Sequence, residues 1–255
     1  MTINTEILST TILQNKSDGF RHTDKIMQNE IEGVSVDYIA TKGILIKEKA
    51  TTEFYNVLLS LGGTASIKVN EHSYEVEGNY IVKIPYNTPY EINIGEGNEF
   101  YFLVIKKQLD EKDKTVISSE QEKHNSLYLK SFSECVVYKE EIKSAKTLNR
   151  MILPERLVPR VCIGTVETTG PDEVGAHQHP MLEQLFLGLY ECSCTCYADS
   201  ASVNLVENMI LHIPLGSTHS VSVDEGKKLS YIWMDFFKTI EGQDYITEQH
   251  QVDEE

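Results

Sequence analysis

Short runs of apolar, β-branched and aromatic residues alternate with Gly, Asn, Pro and Glu along most of the chain. In the first half, Tyr55–Leu61, Ser66–Val69, Tyr80–Ile84, Tyr90–Ile94 and Phe100–Ile105 read as strands. The second half repeats the rhythm in Val161–Val166, Leu185–Leu189, Ser193–Tyr197, Met209–Ile213, Ser220–Val223 and Tyr231–Phe236. Short runs spaced about 8–12 residues apart predict an antiparallel sandwich or barrel rather than a βαβ sheet. Two segments break the pattern. Lys106–Asn125 is charge-dense and reads as a solvated linker, whereas Ile142, Ala145 and Leu148, at spacing three within Lys139–Met151, predict a helix. The acidic tail Glu248–Glu255 is expected to fray.

The two halves are related. Shifted by 129 residues, Glu77–Gly97 falls on Val206–Gly226. Asn79 then matches Asn208, Ile81 matches Ile210, Ile84-Pro85 matches Ile213-Pro214, and Glu96-Gly97 matches Glu225-Gly226. Six identities in one ungapped window indicate a duplicated unit of about 125 residues, an ordinary size for a small domain. The expected organisation is a first barrel over residues 1–107, a linker over 108–126 and a second barrel over 127–255.

Composition narrows the function. With 255 residues, 40% of them hydrophobic, the chain is long enough to bury a substantial core. Lys and Arg number 23 against 39 Asp and Glu, a net charge of −16, which repels phosphate backbones and anionic lipid surfaces. No nucleic-acid or membrane partner is therefore expected. No apolar stretch approaches the roughly 20 residues of a membrane span, and Met1–Gly19 lacks the basic-then-apolar order of a signal peptide. Five Cys, an odd number, are then read as reduced thiols in a cytoplasm.

The candidate chemistry lies in His177-Gln178-His179, then Glu183, then His219 after the turn Pro214-Leu215-Gly216. Residues two apart on a strand share a face, so His177 and His179 can point into one barrel. Three imidazoles and a carboxylate suit a divalent first-row metal with one or two positions left open. The segments Gly175-Ala176-His177-Gln178-His179-Pro180-Met181-Leu182-Glu183 and Pro214-Leu215-Gly216-Ser217-Thr218-His219 resemble the two motifs of cupins, small β-barrels of the jelly-roll type. Together with the repeat, the chain is similar to a bicupin over residues 45–105 and 160–236. The resemblance implies an all-β fold of tandem jelly-roll barrels. It implies the metal ligands His177, His179, Glu183 and His219, and one Mn, Fe, Ni, Zn, Co or Cu ion. It also allows a homodimer. The sequence departs from the family at Tyr190 and Asn208, where glycines are usual, and at Val223, where asparagine is frequent.

The first copy carries Glu48, Ala50, Phe54 (or Glu53, with one gap) and Tyr90 at the equivalent places, so no metal is expected there. Arg150, Arg156 and Arg160 directly precede the first strand of the metal-bearing barrel; Arg160 is a candidate anchor for a substrate carboxylate or phosphate, and surface pairing with Glu155 and Glu141 is the plainer alternative. Cys192, Cys194 and Cys196 alternate and read as small buried hydrophobes rather than a soft-metal site. His212 reads as a structural histidine. Tyr231, Trp233 and Asp235 alternate on the last strand, with Trp233 as a pocket wall and Asp235 and Tyr231 as candidate acid–base groups. Three functions remain open. The first is proton transfer or isomerisation on a small oxygenated substrate, carboxylate- or sugar-derived. The others are Fe(II) dioxygenase chemistry and non-catalytic binding of a metal and small molecule.

Overall fold

The computed structural model describes residues 2–249, with side chains for residues 2–244. The first strand is β1 (Thr5–Ile7). Next come β2 (Phe20–Ile26), β3 (Val34–Lys42), β4 (Leu45–Glu48), β5 (Phe54–Val69), β6 (His72–Glu77), β7 (Tyr80–Lys83), β8 (Tyr90–Asn93) and β9 (Glu99–Gln108). Two helices follow, α1 (Glu111–Ser119) and α2 (Gln121–Asn125), then β10 (Tyr128–Ser131). The second half opens with β11 (Val136–Tyr138), β12 (Leu148–Val158), β13 (Val161–Thr169), β14 (Asp172–His177) and β15 (Leu182–Gly188). It closes with β16 (Ser193–Ala198), β17 (Ala201–Val206), β18 (Met209–Ile213), β19 (His219–Val223), β20 (Lys228–Phe237) and α3 (Ile240–Gln249).

Two compact units result. One comprises Ser9–Glu134 with Leu157–Pro159; the other comprises residues 2–8, Cys135–Arg156 and 160–249. In the first, the path β10-β7-β5-β9-β3-β2 forms one layer, and the far half of the long β5 pairs with β6 and β8, with β4 beyond β8. Ile39, Leu58, Ile67, Val82, Tyr90, Phe100 and Phe102 pack into its core. The second unit has a seven-stranded sheet, β1-β18-β15-β20-β13-β12-β11, and a four-stranded sheet, β14-β19-β16-β17. Side chains from both sheets share one core, among them Phe186, Leu211 and Tyr231 from the larger and Val174, Leu205 and Val221 from the smaller. Each unit is a jelly roll, as the strand rhythm predicts.

The repeat is visible strand by strand. β7 and β18 begin at Tyr80 and Met209, β8 and β19 at Tyr90 and His219, β9 and β20 at Glu99 and Lys228, each pair 129 residues apart. Glu48 lies opposite Tyr90 in the first barrel as His177 lies opposite His219 in the second.

Three local expectations differ from the structure. The segment read as a linker folds as α1 and α2, because Asp110 and Asp113 cap α1 reciprocally at 2.9 and 3.0 Å and the helices bury Ile117 and His124. Residues 109–134 therefore belong to the first unit, while residues 2–8 join the second through β1, whose Glu6 lies opposite Ile210 of β18. Lys139–Met151 is not helical. Ser144 and Thr147 direct their hydroxyls to the Asp172 carboxylate at 2.8 and 3.2 Å, which fixes a pair of turns, and Leu148 already starts β12. Of the tail, residues 248 and 249 close α3 and the rest lies outside the described residues. Among the described residues no helix is long and apolar enough to cross a membrane.

Candidate metal centre

Two strand ends and the loop between β14 and β15 bring the histidines together. β14 stops at His177, a bulge between Val174 and His177 bends its end, and His177 lies directly opposite His219 at the start of β19. The turn before His219 depends on Gly216, whose φ of +72° favours glycine. The ring centroids stand 4.2 Å apart for His177 and His219, 4.9 Å for His177 and His179, and 5.6 Å for His179 and His219. One ring nitrogen from each lies within 4.8 Å of the others, and among the described residues no other His, Cys, Asp or Glu trio converges in this way.

The backbone selects the nitrogen. Nδ1–H of His177 donates to the Gly175 carbonyl at 2.8 Å, and Nδ1–H of His219 donates to the Ser217 carbonyl at 3.1 Å. With Nδ1 protonated, Nε2 of each keeps its lone pair, the arrangement by which outer partners orient metal-binding imidazoles. Nε2 of His219 is buried and has no hydrogen-bond partner. Burial, and next the neighbouring His177, pushes the His219 imidazole down to about 4, so it stays neutral. A buried, neutral nitrogen with no partner fits a cation.

Glu183 does not join them. It lies on the opposite face of β15 from Gln184 and Phe186, and its Oε1 pairs with Lys238 Nζ at 3.3 Å. The converging trio thus leaves out Glu183, the expected fourth ligand, whose Oε2 is buried without a hydrogen-bond partner; where β15 resumes after the Pro180 turn sets its parity, and that parity turns Gln184 to the cavity. Gln184 is 5% exposed, and its Nε2–H donates to Asp235 Oδ1 at 2.8 Å.

The histidines line a cavity of about 60 Å³. Val174, Phe186, Val221 and Trp233 make its apolar wall, and Gln184, Tyr231 and Asp235 also face it. The alternation read on the last strand therefore turns Tyr231, Trp233 and Asp235 to the cavity. Burial, first of all, holds the Tyr231 phenol well above its usual range, so it stays protonated. Arg160 is not on the wall: its guanidinium donates to the Lys238 carbonyl at 3.1 Å and its backbone N–H to Gln243 Oε1 at 3.0 Å, tying β13 to α3. The cation that does reach the cavity is Lys143, paired with Glu140 at 2.7 Å and only 5% exposed along its side chain. Both come from the segment read as a helix, where polar residues gave no periodic signal. Burial lowers the Lys143 amine against the opposing pull of Glu140.

Cys192, Cys194 and Cys196 are buried in the core, with 3.7 Å between the first two sulfurs. Contact with the Cys194 thiol, then burial, raises Cys192, which stays a packed thiol. His212 is buried on β18 opposite Leu185.

No family model matches the chain, and no curated protein matches it. Solved structures do. A putative glyoxylate-induced protein from Pseudomonas aeruginosa superposes with a TM-score of 0.66 at 9% identity, over 84% of this chain and 78% of its own. A cupin 2 conserved barrel domain protein from Leptotrichia buccalis gives 0.61 at 12%, over 91% and 96%. A deletion mutant of Bacillus subtilis oxalate decarboxylase gives 0.62 at 12%, over 92% and 76%. With two jelly rolls in tandem and likeness to these structures along most of its length, the chain has the fold of the cupin superfamily in its two-barrel, bicupin form.

Proposed function

We propose that the chain is a metal-dependent enzyme that binds a small oxygenated anion in its second barrel and moves a proton on it. The observation that carries this reading is the joint placement of three convergent imidazoles and the buried Lys143–Glu140 pair on one cavity. His177, His179 and His219 would hold one divalent ion of the Mn-to-Zn series. Such an ion polarises a coordinated carbonyl and eases enolate formation.

The remaining chemistry belongs to the chain. A cavity of about 60 Å³ has room for a ligand of a few heavy atoms, since one water needs about 10–15 Å³ by the same measure. Lys143 would take the carboxylate of a 2-oxo or 2-hydroxy acid, drawing it from Glu140. Glu140, released from that pair, and Asp235 would be the proton acceptors, and the Tyr231 phenol would donate to the developing oxyanion. Phe186, Val221 and Trp233 would exclude water. Five buried cysteines held as thiols support a reducing, cytoplasmic setting.

Elemental analysis and deuterium exchange test this reading together. The expected result is one ion per chain and exchange of the Cα or Cβ protons of small 2-oxo or 2-hydroxy acids in D2O, abolished by a chelator and by Lys143→Met. A preparation that takes up no ion overturns the proposal. So does a fully metallated protein that exchanges nothing across such a panel, which leaves the binding-protein reading; oxygen uptake with the same acids would turn it to dioxygenase chemistry.

A further inference from the structure

A further buried side chain lines the cavity of the three histidines. Gln184 is buried on the cavity wall, and its Oε1 has no hydrogen-bond partner. The orientation of that amide is determined by Asp235. A carboxylate offers no proton, so the amide face 2.8 Å from Asp235 Oδ1 must be the NH2, and the carbonyl oxygen is turned away from it. Asp235 is itself held in place: the Cys162 thiol lies 3.9 Å from its Oδ2, and β20 keeps Asp235 in register with Gln184. Gln184 and His219 thus line the same small cavity, and each holds a buried polar atom without a partner, Oε1 and Nε2. Leaving both unmet is costly, and one cation would satisfy both.

We propose that Gln184 Oε1 is the fourth protein donor to the ion, with Asp235 as the positioning residue that aims it. This rests on the metal reading above and deepens it. Three neutral imidazoles and a neutral amide leave the charge of a divalent ion uncompensated by its protein ligands, so the site would select ligands that bring negative charge, such as the carboxylate of a 2-oxo acid.

The test is Mn(II) binding, followed by calorimetry and electron paramagnetic resonance on the full chain. Gln184→Leu should weaken Mn(II) by about tenfold or more and change the spectrum, while Glu183→Gln binds as the native protein does. Gln184→Glu, which keeps size and a donor oxygen, should retain the ion and covers the case in which Gln184→Leu fails to fold. Asp235→Asn should weaken the ion in the Gln184 background, because the new amide can donate to Oε1 and turn it. In the Gln184→Glu background the same change should strengthen binding by removing a facing carboxylate, and this reversal of sign is not expected of a merely structural contact. Native protein that binds Mn(II) while Gln184→Leu binds it equally, with an unchanged spectrum, overturns the inference and leaves the metal reading intact. Loss of the ion in Glu183→Gln as complete as in His179→Ala overturns it as well. Native protein that binds no ion overturns both.

Discussion

Gly164 lies against the indole of Trp233: a methyl group built on it would overlap the ring at Cζ2 and Cε2. The two residues are cross-strand partners on β13 and β20, and the missing side chain leaves room for the ring, which lines the cavity. Gly164→Ala should therefore displace the ring and destabilise the protein by about 1–3 kcal/mol, the usual cost of overpacking a core. Since Trp233 is the one tryptophan of the chain, its emission maximum reads the displacement directly.

That same tryptophan gives a probe of the cavity. Adding Cu(II) or Mn(II) should quench its emission in native protein and leave His179→Ala unaffected. Loaded protein should also unfold later, by about 2.7 kcal/mol when free metal stands at a hundred times its dissociation constant. Thermal unfolding with and without chelator checks the second half of this expectation.

The Glu183–Lys238 pair is partly exposed, with Lys238 36% and Glu183 12% accessible along their side chains. Glu183→Gln should thus cost less than about 1 kcal/mol in urea unfolding. A loss of several kcal/mol would show that the carboxylate does more than hold one surface amine.

In the first unit His124 is fully buried, its Nδ1 3.3 Å from the Tyr55 hydroxyl. Burial chiefly, then Lys83, pushes its imidazole down to about 4. The unfolded chain therefore binds the extra proton more readily between about 6.5 and 4. Stability from this group is complete above about 6.5 and is lost as pH falls through 4. Between pH 7.5 and 5 the loss should be on the order of 1–2 kcal/mol, and His124→Gln should remove it. Urea unfolding of both proteins at the two pH values measures the difference.

All five cysteines are buried. A thiol reagent should find almost none in native protein and five after denaturation. Rapid labelling of Cys192, Cys194 or Cys196 in native protein would contradict their place in the core.

Much of this molecule is legible in the order of its residues. Alternation of apolar and polar positions implies strands, because a strand turns successive side chains to opposite faces. The 129-residue repeat implies two barrels, and three of its strand pairs begin at that spacing. The histidines could be picked out because a ligand's chemistry is carried by residue type, and a turn with glycine precedes the last of them. Other features depend on the folded chain alone. Glu183 and Gln184 are adjacent, and which of them faces the cavity depends on where β15 resumes after a turn, since a shift of one residue exchanges the faces. Lys143 and Glu140 reach the wall from a segment whose spacing imitates a helix, held there by Asp172, which lies more than 20 residues further along. Local pattern records which face a residue shares with its neighbours; which distant groups meet across a cavity is a matter of packing between strands, and only the closed barrel decides it.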